Sequence, residues 1–153
     1  SSSNTKNLQA AYAQDATAPF WIARRVITVS NQSTRIGMGT STADYIPNSG
    51  AHDAATSEQR AIVRGATTDS TVIGTGDKCM VVWFDGTLGW MMDDSGAVIS
   101  CAIGTNADAI AALRVRATVA NNVNARVKYF QIGTTGMTAS LAAQWMSWAR
   151  AQP

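Results

Sequence analysis

The chain contains few of the side chains that carry out catalytic and metal chemistry. Its 153 residues include one histidine, two cysteines and one glutamate. One histidine does not build a multi-histidine zinc site, and the two separated cysteines lack the spacing of metal ligands. The sequence also lacks a Gly-x-Ser-x-Gly elbow, a phosphate loop and a dinucleotide-binding fingerprint. We therefore expect a protein that is not an enzyme, with no catalytic residues, metal or cofactor.

Charge is also scarce. Charged residues make up 14% of the chain, against about 25% in average domains. The net charge of +2 comes from scattered arginines without a basic run, which excludes a nucleic-acid patch. No segment reaches the roughly 20 apolar residues of a membrane span, and no secretory signal opens the chain. A surface with so little charge is typical of a protein that packs against copies of itself or other subunits, in the cytoplasm or in a virion.

The strongest pattern in the chain is a three-stranded meander over residues 78–103. Two turn signals, Asp85-Gly86 and Asp94-Ser95-Gly96, separate three apolar segments. Asp-Gly between such segments is a strong hairpin signal because a type I′ turn needs positive φ at both central residues. This pattern predicts antiparallel strands.

The register of the meander predicts where its tryptophans and cysteines lie. Pairing about Asp85-Gly86 places Trp83 and Trp90 on neighbouring strands, and we expect them on opposite faces. The same register puts Cys79 opposite Met92 and Cys101 opposite Gly89, on outer strands about 9.5 Å apart with side chains facing opposite ways. A disulfide needs Cα atoms within about 7 Å. Two free, buried thiols are therefore expected.

The two ends of the chain are predicted to be helical. Residues 1–18 form an arm with a short helix, in which Leu8, Ala11 and Tyr12 follow the i, i+3, i+4 spacing. Residues 138–153 form a helix docked on the body, with Thr138 as the N-cap. The apolar stripe of this second helix is predicted to be Leu141, Trp145 and Trp148.

Between these ends, residues 19–137 are expected to be strands and turns. Residues 113–119 alternate, which turns Leu113 and Val115 inward and Arg114 outward. Residues 60–66 are predicted as a strand followed by a turn at 67–70, and residues 41–59 as a long loop. Eight or nine short strands predict one all-β domain, an antiparallel β-sandwich or jelly roll with short N-terminal and C-terminal helices.

Candidate binding residues fall into two groups. Around the second turn of the meander, an exposed tryptophan beside carboxylates would stack on a sugar ring; these candidates are Trp83, Trp90, Asp93 and Asp94. The predicted long loop holds a second set of titratable residues: Asp44, His52, Asp53 and Glu58. Two alternatives stay open, a calcium site at Asp93-Asp94 and a glycoside hydrolase pair that joins Glu58 to Asp85, Asp93 or Asp94.

The C-terminal two thirds resemble a known family. Strand 126–133 followed by residues 134–145 is similar to the ending of concanavalin A-like, LamG-type sandwiches, and Val81–Gly86 resembles their strand with an Asp-Gly tip. The resemblance spans residues 60–150 and implies a jelly-roll, lectin-like domain of the kind found in phage virion proteins. The Glu-x-Asp-x-x-Glu motif of the glucanase members is missing, so hydrolysis is not implied.

Three functions follow as hypotheses. The first is a non-enzymatic assembly protein, a phage virion component such as a capsid, decoration or fibre protein that partners with its own copies or other virion subunits. The second is a carbohydrate-binding, lectin-like module with a glycan partner. The third is a glycan hydrolase.

Overall fold

The structure is a computed structural model that describes residues 4–15, 17–28, 32–41, 46–52, 58–73, 75–119 and 126–153. These residues form eleven strands and one helix. In chain order they are β1 (Asn4–Gln14), β2 (Phe20–Thr28), β3 (Gln32–Thr40), β4 (Asn48–His52), β5 (Glu58–Val63), β6 (Ala66–Ile73), β7 (Gly76–Phe84), β8 (Gly89–Met92), β9 (Val98–Cys101), β10 (Ile110–Val119), β11 (Arg126–Gly133) and α1 (Ala139–Ala151).

The strands form two antiparallel sheets that pack into a sandwich, as the sequence predicts. Sheet A has the strand order β1-β10-β3-β4-β5-β6, and sheet B has the order β11-β2-β7-β8-β9. Alternate residues of each sheet point between the layers and form the main core. Its largest buried members are Phe20, Ile22, Ile36, Met38, Met80, Phe84 and Met91.

Sheet B is buried on its outer face as well, because α1 packs there. The second core joins residues of β2, β7 and β8 to the helix: Ala23, Cys79, Val81, Trp83, Met92, Ala142, Met146 and Ala149. The molecule therefore has three layers, sheet A, sheet B and α1. Among the described residues, α1 is too short to span a membrane.

The predicted start of α1 is confirmed, and its predicted buried face is partly wrong. The Thr138 side chain caps the helix by accepting a hydrogen bond from the Leu141 amide at 3.3 Å. The residues that α1 buries are Ala142, Met146 and Ala149. Leu141 and Trp148 are each 46% exposed. The small alanines let the helix backbone approach the sheet, which a stripe of larger residues would prevent.

The predicted N-terminal helix is wrong, because residues 4–14 are strand β1. Each of these residues up to Ala11 pairs with β10, from Asn4 opposite Val119 onward. Leu8 and Tyr12 are four residues apart, and that spacing places two side chains on one face of a helix and also on one face of a strand. Pairing with β10 satisfies backbone groups that a short isolated helix could not hold in water.

The predicted loop 41–59 is also wrong in part, because it contains β4 and the first residues of β5. β4 has a sequence of low strand propensity, Asn-Ser-Gly-Ala-His, but it pairs with β3 on one side and β5 on the other. An added Cβ at Gly50 would lie 3.2 Å from the Arg24 side chain, so the glycine gives this guanidinium room between the sheets. Tertiary pairing thus overrides the local preference.

The turn predicted at residues 67–70 lies earlier. β5 and β6 meet at Arg64 and Gly65, whose φ angles are 49° and 90°. Positive φ at both positions is the type I′ hairpin geometry. Residues 67–70 are therefore inside β6, opposite β5.

The meander exists as predicted, but its first loop is longer. Phe84 pairs with Gly89, so the connection comprises the four residues Asp85 to Leu88. Cys101 pairs with Gly89 as predicted, while Met92 lies opposite Val81 and not opposite Cys79. Both cysteines are free and buried, on opposite faces of sheet B. Burial raises the pKa of the Cys101 thiol to about 12.

Two consecutive arginines of β2 connect the three layers. Arg25 lies on the outer face of sheet B, where its guanidinium donates to both Asp77 oxygens at 2.8 and 2.9 Å. It also donates to the carbonyls of Ala149 and Gln152, at 2.5 and 2.7 Å, at the C-terminal end of α1. A cation at this position also compensates the negative end of the helix dipole. Arg25 therefore fastens the helix to the sheet.

Arg24 points the other way, into the space between the sheets. It is 2% exposed and donates to the Ala51 carbonyl of sheet A at 2.6 Å. Desolvation lowers the pKa of Arg24 to about 10, so the guanidinium is still charged at neutral pH. Its Nε has no hydrogen-bond acceptor among the described residues. Arg24 is a buried cation that links the two sheets through a backbone carbonyl.

Replacement of Arg25 should loosen the third layer. We expect Arg25→Met to reduce the free energy of unfolding by about 3 kcal/mol, because it leaves two helix carbonyls and a carboxylate without their donor. Urea denaturation followed by tryptophan fluorescence measures the change. The control Arg126→Gln, at an exposed position of β11, should change stability by less than about 0.5 kcal/mol. Equal losses in the two variants would contradict the role of Arg25.

Stability should also fall in acid. Hydrogen bonds from Arg25 hold the pKa of Asp77 below its ordinary value. Such a carboxyl stabilises the fold above its unfolded pKa of about 3.9, and this contribution disappears as the pH falls through the folded pKa. We expect urea midpoints to stay level from pH 7 to about 5 and to drop below about pH 4. The drop should be shallower in Asp77→Asn and unchanged in the surface control Asp108→Asn.

Candidate functional site

Trp83 and Trp90 lie directly opposite each other on β7 and β8, so the prediction that they occupy opposite faces is wrong. Directly opposed residues of an antiparallel pair point to the same face, whether their numbers are odd or even. The two rings stack with centroids 5.9 Å apart and an interplanar angle of 25°. Trp83 is only 5% exposed, within the core beneath α1. Stacking thus occupies one face of each ring.

The carboxylates beside these tryptophans are engaged in the local structure. Asp93 is 1% exposed, and one of its oxygens accepts from the amide and the hydroxyl of Ser95 at 2.8 and 2.6 Å. Asp94 accepts from the Cys79 amide and forms an ion pair with Arg150 of α1. These bonds close the β8–β9 turn and tie it to β7 and the helix. Within the described ranges, no three His, Cys, Asp or Glu residues are grouped for a metal ion.

Of the four candidate residues in the predicted loop, the structure describes two, His52 and Glu58, which lie on the neighbouring strands β4 and β5. Asp44 and Asp53 lie outside the described residues. His52 is the last residue of β4, opposite Thr34 of β3 and Gln59 of β5. Glu58 begins β5 in sheet A. The aspartates proposed as its hydrolytic partners, Asp85, Asp93 and Asp94, lie in the turns of sheet B.

A different set of polar residues meets on the outer face of sheet A. Arg35 of β3 pairs with Ala51 of β4, Ala51 pairs with Arg60 of β5, and Arg60 pairs with Asp69 of β6. These four residues form one row across four strands, and we call them the arginine face. Two strand spacings put the Cα atoms of Arg35 and Arg60 about 10 Å apart. Ala51 between them is buried, at 1% exposure.

Arg60 and Asp69 form the best-defined part of the arginine face. The Arg60 Nε and one terminal nitrogen donate to the two Asp69 oxygens at 2.5 and 2.7 Å. Their side chains are 20% and 33% exposed, so the pair is reachable from solvent. Hydrogen bonds from Arg60 hold the pKa of Asp69 below its ordinary value, which keeps the carboxylate ionised. Donors and acceptors thus lie side by side at the surface.

Arg114 of β10 extends the polar surface in a different way. Its side chain is buried rather than solvated, which corrects the prediction that it faces water. The guanidinium donates to the Thr40 carbonyl at 2.9 Å. Its stem lies over Gly39, where an added Cβ would be 2.4 Å from the Arg114 Nε. The missing side chain of Gly39 therefore makes room for Arg114.

The arginine face was not predictable with a turn at residues 67–70, because the turn lies at Arg64-Gly65 in the structure. Arg60 lies four residues before Arg64, and Asp69 lies four residues after Gly65. A two-residue hairpin turn at Arg64-Gly65 therefore places Arg60 directly opposite Asp69. Arg-Gly is not one of the strong type I′ signals, which favour Asn-Gly and Asp-Gly.

Comparisons with known proteins establish the fold. A mutant of Trypanosoma rangeli sialidase with trans-sialidase activity superimposes with a TM-score of 0.62 at 13% identity, over 87% of this chain and 23% of that one. Xenopus laevis galectin-Ib gives a TM-score of 0.51 at 9% identity, over 84% of this chain and all of that one. A double mutant of congerin II gives 0.50 at 14% identity, with the same coverage.

These likenesses show that the chain shares a β-sandwich fold with these proteins. The chain corresponds to less than a quarter of the length of the sialidase. Neither the protein-family models nor the curated protein sequences match it.

Proposed function

We propose that this chain is a carbohydrate-binding, lectin-like module that holds a glycan on the arginine face of sheet A. The observation that carries the proposal is the solvent-accessible Arg60–Asp69 pair, in a row with Arg35, on the sheet face opposite the helix layer. The neighbours that share the sandwich support the same class of function, since they are carbohydrate-binding galectins and a sialidase.

The chemistry of the pair suits a sugar. Each sugar hydroxyl both donates and accepts a hydrogen bond, so neighbouring hydroxyls need a donor and an acceptor close together. Arg60 provides fixed N–H donors and Asp69 provides carboxylate acceptors, and hydrogen bonds to charged groups are the stronger kind. Arg35, in the same row, provides further N–H donors for neighbouring hydroxyls. No covalent chemistry is needed for such binding.

Glycan-array screening followed by calorimetric titration tests this proposal. We expect Asp69→Asn and Arg60→Lys to weaken binding about tenfold to a hundredfold, because each removes a charge-assisted or bidentate hydrogen bond of about 1.5–3 kcal/mol. Arg126→Gln on sheet B is the matched control and should bind like the parent protein. An array without a bound glycan, or equal binding by all variants, would refute the arginine face as a lectin site.

A second candidate function, subunit assembly, is favoured by the edge of sheet A. Within the described residues β1 pairs on one side only, with β10, and its eleven-residue sequence carries a single charge, Lys6. Natural edge strands are usually short or charged, as β9 and β11 are here. Beside β1 lies a groove of about 250 Å³ lined largely by apolar residues, among them Leu8, Leu113, Val115 and Phe130.

Pairing of β1 between two copies would continue the sheet and cover this groove. An assembly of this kind is what a virion component needs, and that assignment stays a hypothesis. Light scattering should then show an oligomer, and Leu8→Lys should shift it to the monomer because it puts charge into the groove. Leu88→Lys, at a 54% exposed position in the β7–β8 loop, is the control. A monomeric parent protein at high concentration would exclude assembly through β1.

A further inference from the structure

A cavity lies at the end of sheet B where α1 begins, and two indole rings contribute to its lining. Trp21 of β2 and Trp83 of β7 are directly opposed across their strands. The space beside them has a volume of about 210 Å³. Its lining is made up of Pro19, Phe20, Trp21, Trp83, Phe84, Asp85, Thr134, Thr135, Gly136 and Met137. We call this space the indole slot.

Both indoles are held from the sides that face away from each other. The Trp21 ring packs against Gly133 of β11, where an added Cβ would be 2.3 Å from the ring, and its Nε1 donates to the Thr135 carbonyl at 3.1 Å. Trp83 stacks on Trp90 of β8. Since β11 and β8 flank the β2–β7 pair on either side, the Trp21 ring contacts β11 and the Trp83 ring contacts β8.

The charge of the lining has one sign. Among the described residues that line the slot, Asp85 is the single ionisable side chain, and none of them is lysine or arginine. One Asp85 oxygen accepts from the amides of Thr87 and Leu88, each at 2.8 Å. These backbone hydrogen bonds, that of Leu88 foremost, lower the pKa of Asp85, so it is ionised at neutral pH. The carboxylate is held in place by the loop that carries it.

We propose that the indole slot binds a quaternary ammonium group, such as the trimethylammonium of choline. Indole faces attract cations, and tryptophan does so best among the aromatic side chains. The methyl groups match the apolar lining, and Asp85 supplies the opposite charge. A primary ammonium fits less well because it is strongly hydrated, and the slot has few acceptors to replace that water. An anion would meet a carboxylate and no cation.

This inference is independent of the glycan proposal, because the indole slot and the arginine face lie on different sheets. Calorimetric titration with choline chloride tests it, with sodium chloride at matched ionic strength as the blank. The decisive comparison is 3,3-dimethylbutan-1-ol, which has the shape of choline without the charge. We expect choline to bind at least about tenfold more tightly than this alcohol, the size of a desolvated cation–π contribution. Equal binding of the two compounds, or binding of neither, would overturn the proposal.

Three variants locate the site. Trp21→Leu removes one ring and should weaken choline binding about tenfold or more. Asp85→Asn keeps an oxygen that caps the loop and removes the charge, so binding should fall severalfold. Trp148→Leu replaces an exposed tryptophan of α1 outside the slot and should leave binding unchanged. If Trp21→Leu does not fold, Asp85→Asn and the comparison with the uncharged alcohol still test the proposal. Choline binding by Asp85→Asn with the affinity of the parent protein would exclude the indole slot as the binding site.

A parallel titration with glycerophosphocholine identifies the source of the cation. Binding as tight as that of choline supports a lipid-type headgroup as the ligand. Binding of choline alone supports a small free cation, because the phosphate is then rejected near Asp85.

Discussion

The arrangement of the layers depends on two adjacent arginines at the centre of sheet B. Neighbouring residues of a strand point to opposite faces, so Arg24 reaches sheet A and Arg25 reaches α1. A guanidinium has five donors, and Arg25 uses them on a carboxylate and on the carbonyls that end the helix. A helix with a face of small residues gains little from side-chain burial alone. The charged contact at its C-terminal end therefore contributes much of what keeps it on the sheet.

The position of the helix decides which surfaces can meet a ligand. Because α1 packs on sheet B, Trp83 is buried beneath the helix, and Asp94 forms an ion pair with Arg150 of the helix. The outer face of sheet A is opposite the helix layer and carries the Arg60–Asp69 pair. The indole slot remains open because α1 begins only at Ala139, beyond the segment that forms its wall. One surface suits hydroxyl groups, whereas the other suits a methylated cation.

Much of the fold was predictable because its signals are local. Asp-Gly and Ser-Gly turns identified the meander, Leu113 and Val115 pack on the core as their alternation predicted, and Thr138 caps the helix. The errors share a physical cause, which is that local patterns can be satisfied in more than one way. The spacing of Leu8 and Tyr12 fits a helix and a strand equally. β4 has no pattern of its own, and its pairing with β3 and β5 makes it a strand.

Local signals in the sequence are enough to predict a β-sandwich with a capped C-terminal helix, two separated cysteines and few reactive groups. Alternation, turn residues and caps are set by neighbours along the chain, which explains why these features can be read without coordinates. The stacking of Trp83 on Trp90 and the ion pair of Arg60 with Asp69 depend on how the strands pair in the folded molecule. The same holds for the hydrogen bonds of Arg25 to the carbonyls of Ala149 and Gln152, which are 124 and 127 residues further along the chain. Such contacts depend on strand order and exact register, and a shift of one residue would turn each side chain to the other face.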